Sequence, residues 1–426
     1  MTDTLRRIAI VGGSRIPFCR SNSFYSAKTN MDMLAASLQG LIDRYDLHGQ
    51  QFDEVIAGAV TTHSKDWNLA REALLSTTMS PLTSGITLQQ ACGTSLQAAM
   101  MIGAKIATGQ IECGIAAGTD TTSDPPITFG RKFSQRLVKM GTARSFKQRM
   151  AAFKGFSPSE LKPVLPANGE PRTGLSMGKH CERMAQEWKV AREDQDRLAM
   201  ESHINADRAY NEGFFDELVQ PWSGVTRDNN IRGDSSIEKL AKLRTVFSKG
   251  SDATMTAGNS TPLTDGAAAV LLASEEWAEK NNLPVLAYLT ASRTASVDYV
   301  NDEGLLMAPT VAVAEMLQRA GLTLQDFDFY EIHEAFAAQV LCTLSAWESE
   351  DYCRDRLGLD APLGAIDRSK LNVKGSSLAV GHPFAATGAR IIATLAHLLE
   401  EKGSGRGLIS VCTAGGRGVS AILERE

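Results

Sequence analysis

Apolar and polar positions along the chain fall into two similar series, separated by a stretch of different character. In the first third, short continuous apolar runs, the pattern of strands covered on both faces, alternate with stretches of helical periodicity. Arg7 to Val11 predicts a buried strand, Met33 to Tyr45 an amphipathic helix, Glu54 to Val60 a strand, Thr94 to Thr108 a helix and Gly114 to Gly118 another buried strand. The last third repeats this order. Val285 to Thr290 predicts a strand, Val311 to Ala320 a helix, Phe329 to Ile332 a strand, Ala385 to Glu400 a helix, and Leu408 to Cys412 and Val419 to Leu423 two closing strands. Strand and helix in alternation imply an α/β fold. Two echoes point to duplication: Gly13-Ser14-Arg15-Ile16 matches Ala291-Ser292-Arg293-Thr294, and Phe52-Asp53-Glu54-Val55-Ile56 parallels Phe327-Asp328-Phe329-Tyr330-Glu331-Ile332.

Residues 123–249 interrupt the repeat. From Gly130 to Arg172 the chain carries ten lysines and arginines against only Glu160 and Glu170. Phe129, Phe133, Leu137, Val138, Met140, Phe146, Met150 and Phe153 are interleaved with these charges, as in a pair of amphipathic helices. Such a segment is either a solvated face, an attractor for phosphate groups, or a docking surface for an acidic partner or anionic membrane.

Composition narrows the field. A chain of 426 residues, 43% hydrophobic, can hold two or three packed domains. Its formal charge of −5 gives no general basis for nucleic-acid binding, so any anion site must be local. The seven cysteines are irregularly spaced without a CxxC pair, which argues against a structural zinc site and for a reduced setting. The first residues run into a strand-like segment too soon to form a signal peptide, and no apolar run is long enough to span a bilayer. A cytoplasmic location is expected.

Three glycine-rich turns carry candidate chemistry: Cys92 in QQACGTS, His382 in GHPFAATG and Cys412 in CTAGGRG. Small neighbours let the backbone bend and a bulky substrate approach. The first two turns also open helical patterns, where unpaired N–H groups and the helix dipole favour a thiolate. Cys19, Cys113, Cys181, Cys342 and Cys353 lie in apolar runs and are expected to be inert core, while His180, His203 and His397 fall in polar helical patterns and are expected at the surface.

These motifs, with Glu331-Ile332-His333-Glu334-Ala335-Phe336-Ala337 between them, resemble the thiolase family of acyl-coenzyme A acyltransferases over almost the whole chain. The HEAFA form, where most thiolases read NEAFA, is similar to a subgroup that includes β-subunits of fatty-acid oxidation complexes. The resemblance implies duplicated βαβαβ-type halves in a layered α/β/α/β/α core with an inserted loop domain. The N-terminal half would cover 1–122, completed by about 250–273; the loop domain, which would bind coenzyme A, 123–249; and the C-terminal half 274–426.

The same resemblance implies site roles. Cys92 would be the nucleophile, His382 its base, and Cys412 the acid or base that handles the α-proton. One oxyanion site would use the backbone N–H groups of Cys92 and Ala414. The other would use His382 and a water held by the family's Asn, here replaced by His333, whose charge could depend on pH. Met177, Arg232, Leu243, Val246, Phe247, Ala257 and Thr261 would line the coenzyme A and acyl pocket, with Thr261-Pro262 departing from the family's AGNASG. Glu334 would either orient His333 or make a structural hydrogen bond.

The implied reaction is the reversible thiolytic cleavage of 3-ketoacyl-CoA by CoA to acyl-CoA and acetyl-CoA through acyl-Cys92, with degradation of fatty acids as the setting. Condensation of two acetyl units to acetoacetyl-CoA is the alternative. A decarboxylating ketosynthase lacks a second catalytic cysteine, and a non-catalytic acyl-CoA scaffold need not keep both thiols; Cys412 argues against both. No metal or organic prosthetic group is called for. The expected partners are CoA, acyl-CoA and acetyl-CoA, a second copy or three of this chain as a homodimer or homotetramer, and, through 130–172, a hydratase/dehydrogenase α-subunit or a membrane surface.

Overall fold

The computed structural model describes residues 5–426. The N-terminal half contains strands β1 (Ile8–Arg15), β2 (Glu54–Gly58), β3 (Ser84–Thr87), β4 (Cys113–Asp120) and β5 (Thr264–Ser274), with helices α1 (Asn30–Arg44), α2 (Leu69–Leu75) and α3 (Thr94–Ala107). Between β4 and β5 the chain leaves the sheet to form α4 (Arg131–Thr142), α5 (Phe146–Ala152), α6 (Met177–Glu187) and α7 (Arg192–Asn211). The C-terminal half contains β6 (Ala287–Ser296), β7 (Phe329–Ile332), β8 (Gly405–Thr413) and β9 (Arg417–Arg425), with α8 (Ala308–Ala320), α9 (Ala337–Glu348) and α10 (Thr387–Lys402).

The duplication expected from the sequence is present in the strand order. In the N-terminal half β2 runs parallel to β4, β4 antiparallel to β5, and β5 antiparallel to β1. In the C-terminal half β7, β8, β9 and β6 follow with the same senses. The echoed tetrapeptides fall across the end of β1 and within β6, and the other pair of echoes leads into β2 and β7. The half-sheets join edge to edge where Ala9 and Ile10 pair with Tyr288 and Ala287, so one hydrogen-bonded path crosses the molecule.

Alternation within each strand explains the layers, because successive side chains point to opposite faces. Val55 and Ala57 of β2, Ile115 and Ala117 of β4, and Leu271 of β5 pack with Leu34, Leu38 and Leu41 of α1 on the outer face. Their neighbours Ile56, Ala116 and Val270 turn inward onto Leu96 and Ile102 of α3. The C-terminal half does the same: Ile409 and Val411 face Ile391 and Leu395 of α10 in that central layer, whereas Leu408 and Ile422 face Val313 of α8 and Val340 of α9. Helix, sheet, helix pair, sheet and helix follow in sequence. Each buried Leu or Ile contributes roughly 1.5–3 kcal/mol.

α3 and α10 therefore occupy equivalent places and touch each other at the centre. The Ala389 amide of α10 donates to Ser95 Oγ of α3 at 2.8 Å. A Cβ on Gly388 would lie 2.3 Å from the Leu96 backbone nitrogen, so glycine is required for this approach. Each helix begins after a short 3₁₀ turn, Ala91–Gly93 and Phe384–Ala386, which is why α10 starts two residues later than the periodicity predicts. The unpredicted α2 and β3 lie at the sheet edge, where β3 is half-exposed and has no apolar alternation to announce it.

The basic segment forms the expected helix pair, α4 and α5. Phe133 makes edge or tilted contacts with Phe129, Phe153 and Phe156, with ring centroids 4.9–6.5 Å apart, giving the pair a small core of its own. Arg136 clamps it by a bidentate pair with Glu160 and bonds to the carbonyls of Ala152, Lys154 and Gly155. Val138, Phe146 and Met150 remain exposed.

Candidate active site

Cys92 lies in the 3₁₀ turn that enters α3, and its neighbours hold that turn in an uncommon shape. Ala91 has φ +49°, and Thr94 Oγ1 accepts from the Gln90 amide and donates to the Ala91 carbonyl, pinning the loop on both sides. The cap, Gly93, has no side chain to occupy the first amides of α3. A Cβ at that position would press on Val419 and Thr413 of the other half.

His382 arrives from the equivalent position before α10. Gly381 adopts φ +100° against Thr264, and Thr264 Oγ1 accepts from the His382 amide at 3.1 Å. The imidazole is then fixed at both nitrogens: Nδ1 lies 2.5 Å from Thr387 Oγ1, and Nε2 lies 3.1 Å from Cys92 Sγ. Thus residues 290 positions apart meet because two matching helices start at the same place.

A third group joins them. The His333 ring lies 4.2 Å from that of His382, and nitrogens of the two histidines and the Cys92 sulfur lie within 4.8 Å of one another. His333 Nδ1 is 2.8 Å from Ser377 Oγ, while its Nε2 is buried with no partner. Glu334 does not touch His333: it accepts from Ser202, Asn372 and the Leu378 amide, which makes it a structural anchor.

Cys412 ends β8 fully buried, close enough to Cys92 that charge on one sulfur raises the other. The turn after it places left-handed backbone at Gly415 (φ +78°) and Gly416 (φ +67°), leaving Ala414 outside the left-handed region. Amide N–H groups of Ala414 and Cys92 itself are both directed at Cys92 Sγ. The loop segment supports this turn, since Glu170 accepts from the Gly415 amide at 2.8 Å and from the Tyr299 hydroxyl at 3.2 Å.

Burial decides the charge state. It pushes the Cys92 thiol up to about 12, against the pull of the Ala414 and Cys92 amides. Burial and then the nearby Arg390 guanidinium push His382 down to about 3. Burial thus works against the thiolate that a helix N-terminus favours, since a helix end contributes about 1 kcal/mol and desolvation opposes it. The pair rests as neutral thiol and neutral imidazole. Burial, His382 and Arg390 also hold His333 well below the usual histidine range, so it stays neutral, and burial raises the Cys412 thiol.

Sequence reasoning missed two supports. Thr387 Oγ1 holds His382 Nδ1 and can accept the proton there that leaves Nε2 free to face Cys92, although it looks like an ordinary first-turn threonine. Asp120 is buried at the end of β4 and accepts from the Val60 and Thr61 amides, the Thr61 hydroxyl and the Ala385 amide. It ties the His382 turn to the N-terminal sheet, with burial raising its carboxyl to about 6.

A cavity of about 360 Å³ opens between the loop segment and the turn Ala257–Pro262. Arg232, Leu243 and Ala257 line it, with Arg20 adding positive charge and Lys239 paired with Asp234 in the same wall. Met177, Val246, Phe247 and Thr261 do not. Met177 and Phe247 pack on the C-terminal core, Phe247 stacking edge-on to Phe336 at 5.8 Å, and Val246 is half-exposed. The Thr261 hydroxyl donates inward to the Ser377 carbonyl at 2.8 Å, and Ser260, whose hydroxyl is unpartnered, takes the cavity wall. His203 also lines the cavity.

His180, His203 and His397 are buried, contrary to the expectation of surface positions. Each ring finds a neighbour that polar periodicity does not reveal: His180 meets Thr173, His203 accepts from the Arg232 amide, and His397 approaches Glu400. The five other cysteines are buried and unpaired, as expected of core residues. No helix among the described residues is long and apolar enough to cross a membrane.

Comparison with known proteins agrees with this geometry. Residues 8–276 match the thiolase N-terminal domain and residues 283–425 the thiolase C-terminal domain. The chain is 40% identical to the 3-ketoacyl-CoA thiolase of Shewanella halifaxensis (strain HAW-EB4), across 99% of this chain and 97% of that protein. It is 41% identical to that of Shewanella baltica (strain OS185) with the same coverage. Among solved structures, the Bacillus anthracis acetyl-CoA acetyltransferase superposes with a TM-score of 0.82 at 28% identity, covering 99% of this chain and 100% of that one. Human mitochondrial 3-ketoacyl-CoA thiolase in complex with CoA superposes at 0.80 and 27%, covering 99% and 98%. The chain belongs to the thiolase family.

Proposed function

We propose that the protein cleaves 3-ketoacyl-CoA with CoA to give acyl-CoA and acetyl-CoA through an acyl-Cys92 intermediate. The observation that carries this reading is the 3.1 Å contact between Cys92 Sγ and His382 Nε2 beside a second buried thiol, Cys412.

The steps follow from what carbon–carbon cleavage requires. His382 Nε2 takes the Cys92 proton as sulfur attacks the 3-keto carbon, since the neutral pair supplies no thiolate beforehand. The oxyanion receives the Cys92 and Ala414 amides, each such donor contributing about 3 kcal/mol. Breaking the bond between C2 and C3 leaves its electron pair on the acetyl-CoA enolate, whose oxygen faces His382 and His333. Cys412 gives its proton to C2 and acetyl-CoA departs. Incoming CoA returns a proton to Cys412, attacks the acyl group, and Cys92 leaves with the proton held by His382. Arg20 and Arg232 suit the cavity they line to the phosphates of CoA.

The 40% identity to 3-ketoacyl-CoA thiolases over nearly the whole chain supports a degradative role, while the solved acetyltransferase and 3-ketoacyl-CoA thiolase, at 28% and 27% identity, do not separate the two. Thiolysis rates measured across short to long 3-ketoacyl chains test this. Turnover confined to acetoacetyl-CoA would favour the alternative. The exposed Val138, Phe146 and Met150 among lysines and arginines of α4 and α5 support a docking role for this pair, toward an oxidation-complex subunit or an anionic membrane, and a cytoplasmic homo-oligomer fits the family.

A further inference from the structure

The buried surroundings of His333 fix where its proton resides. Arg390, itself buried, donates from Nη2 to Ser377 Oγ at 2.9 Å, and guanidinium has no acceptor to offer in return. Ser377 Oγ has one hydrogen of its own, and its other partner is His333 Nδ1 at 2.8 Å. Pointed at Nδ1, the hydroxyl hydrogen meets an acceptor, whereas a proton on Nδ1 would leave that buried hydrogen with none, so Nδ1 presents its lone pair. A neutral imidazole that accepts at Nδ1 carries its proton at Nε2. That Nε2 is the buried atom without a partner, beside Cys92 and His382.

Other contacts support the same arrangement. Arg390 also reaches Ser376 Oγ from both terminal nitrogens at 3.3 Å, and Glu331, whose carboxyl burial raises to about 8, lies 3.8 Å from it. The Thr261 hydroxyl holds the Ser377 carbonyl, which fixes the backbone from which the serine projects. The positive guanidinium disfavours a second proton on His333. We infer that Arg390 and Ser377 are positioning residues that lock His333 as the Nε2–H tautomer, so that it donates directly to the substrate enolate oxygen.

This inference rests on the proposed thiolase reaction and adds to it. An asparagine amide always offers an N–H, whereas a histidine offers one toward the site in only one tautomer. The Arg390–Ser377 pair selects that tautomer, whereas an asparagine needs only the amide rotamer that turns its N–H groups to the site. Glu334 follows His333 in sequence but takes no part, being saturated by Ser202, Asn372 and Leu378.

The test combines two half-reactions with a second background. Ser377→Ala should slow 3-ketoacyl-CoA cleavage by roughly 100-fold, the typical effect of losing one oxyanion donor. Transfer of an acetyl group from acetyl-CoA to labelled CoA, which passes through acetyl-Cys92 without an enolate, should fall by less than about threefold. Ser377→Thr, which keeps the hydroxyl, should restore cleavage. In a His333→Asn background, adding Ser377→Ala should change cleavage by less than about threefold. Nitrogen NMR of histidine-labelled wild type should show His333 protonated at Nε2, a readout that needs no variant. Equal losses in both half-reactions and both backgrounds, or a proton at Nδ1, would overturn the inference. Absence of cleavage and of acetyl exchange in the wild type would instead defeat the thiolase reading.

Discussion

The Ala389 amide donates to Ser95 Oγ across the centre of the molecule, and this bond joins the helix that follows Cys92 to the helix that follows His382. The separation of sulfur and imidazole is thereby set by helix packing rather than by the loops that carry them.

Gly388 is the sensitive point in that packing. A valine there would place carbon against the Leu96 backbone and push α3 from α10. Gly388→Val should destabilise the fold by roughly 1–3 kcal/mol through overpacking. In the folded fraction, acylation of Cys92 should slow more than CoA binding weakens. Denaturant unfolding together with single-turnover acylation checks this; unchanged acylation would detach the site from the helix contact.

Thr387 should matter through His382 alone. Replacing it by valine keeps the shape but removes the acceptor for the Nδ1 proton, so a fraction of imidazoles carries the proton toward Cys92 and cannot act as base. kcat should fall by about tenfold to a hundredfold, within the range of general-base effects, with KM little changed. A loss confined to KM would contradict the role.

The neutral resting pair has a pH signature. Because burial raises the Cys92 thiol toward about 12, its thiolate fraction at neutral pH is small and grows about tenfold per pH unit. Alkylation of Cys92 by iodoacetamide in the free enzyme should keep accelerating through pH 9. His382, pushed down to about 3, should add no inflection between pH 5 and 8. A plateau below pH 8 would indicate a thiolate already formed.

Much of this arrangement was legible in the chain, and what was not has identifiable causes. Cys92, His382 and Cys412 announce themselves because glycine-rich turns interrupt strong apolar patterns, and His333 does so through the HEAFA motif of the family the chain resembles. Most strands followed from continuous apolar runs, and the echo between β1 and β6 marked the duplication, whereas their order in the sheet came only from the structure. Thr387, Asp120 and Ser377 were silent: each is a small polar residue in an unremarkable local pattern, and its importance comes from a partner far along the chain. His203 read as a surface residue because polar periodicity cannot show that Arg232 folds back over it. Thr261 was misplaced for a related reason, since its hydroxyl is drawn inward by the distant Ser377 carbonyl while Ser260 faces the cavity.

The two thiols should separate by half-reaction. Cys412→Ala removes the acid at C2 but leaves Cys92, His382 and both amides in place. Cys92 should still exchange acetyl groups between acetyl-CoA and CoA, while cleavage of 3-ketoacyl-CoA falls by at least about 100-fold. Parallel loss of both activities would make Cys412 a structural residue.

Peptide-resolved mass spectrometry of the protein, quenched during turnover of a 3-ketoacyl-CoA, bears most directly on the chemistry. The acyl group should be found on Cys92 and on no other cysteine, and Cys92→Ala should carry none. Thiolysis that proceeds while Cys92 stays unmodified, or an adduct that survives Cys92→Ala, would contradict the mechanism at its first step.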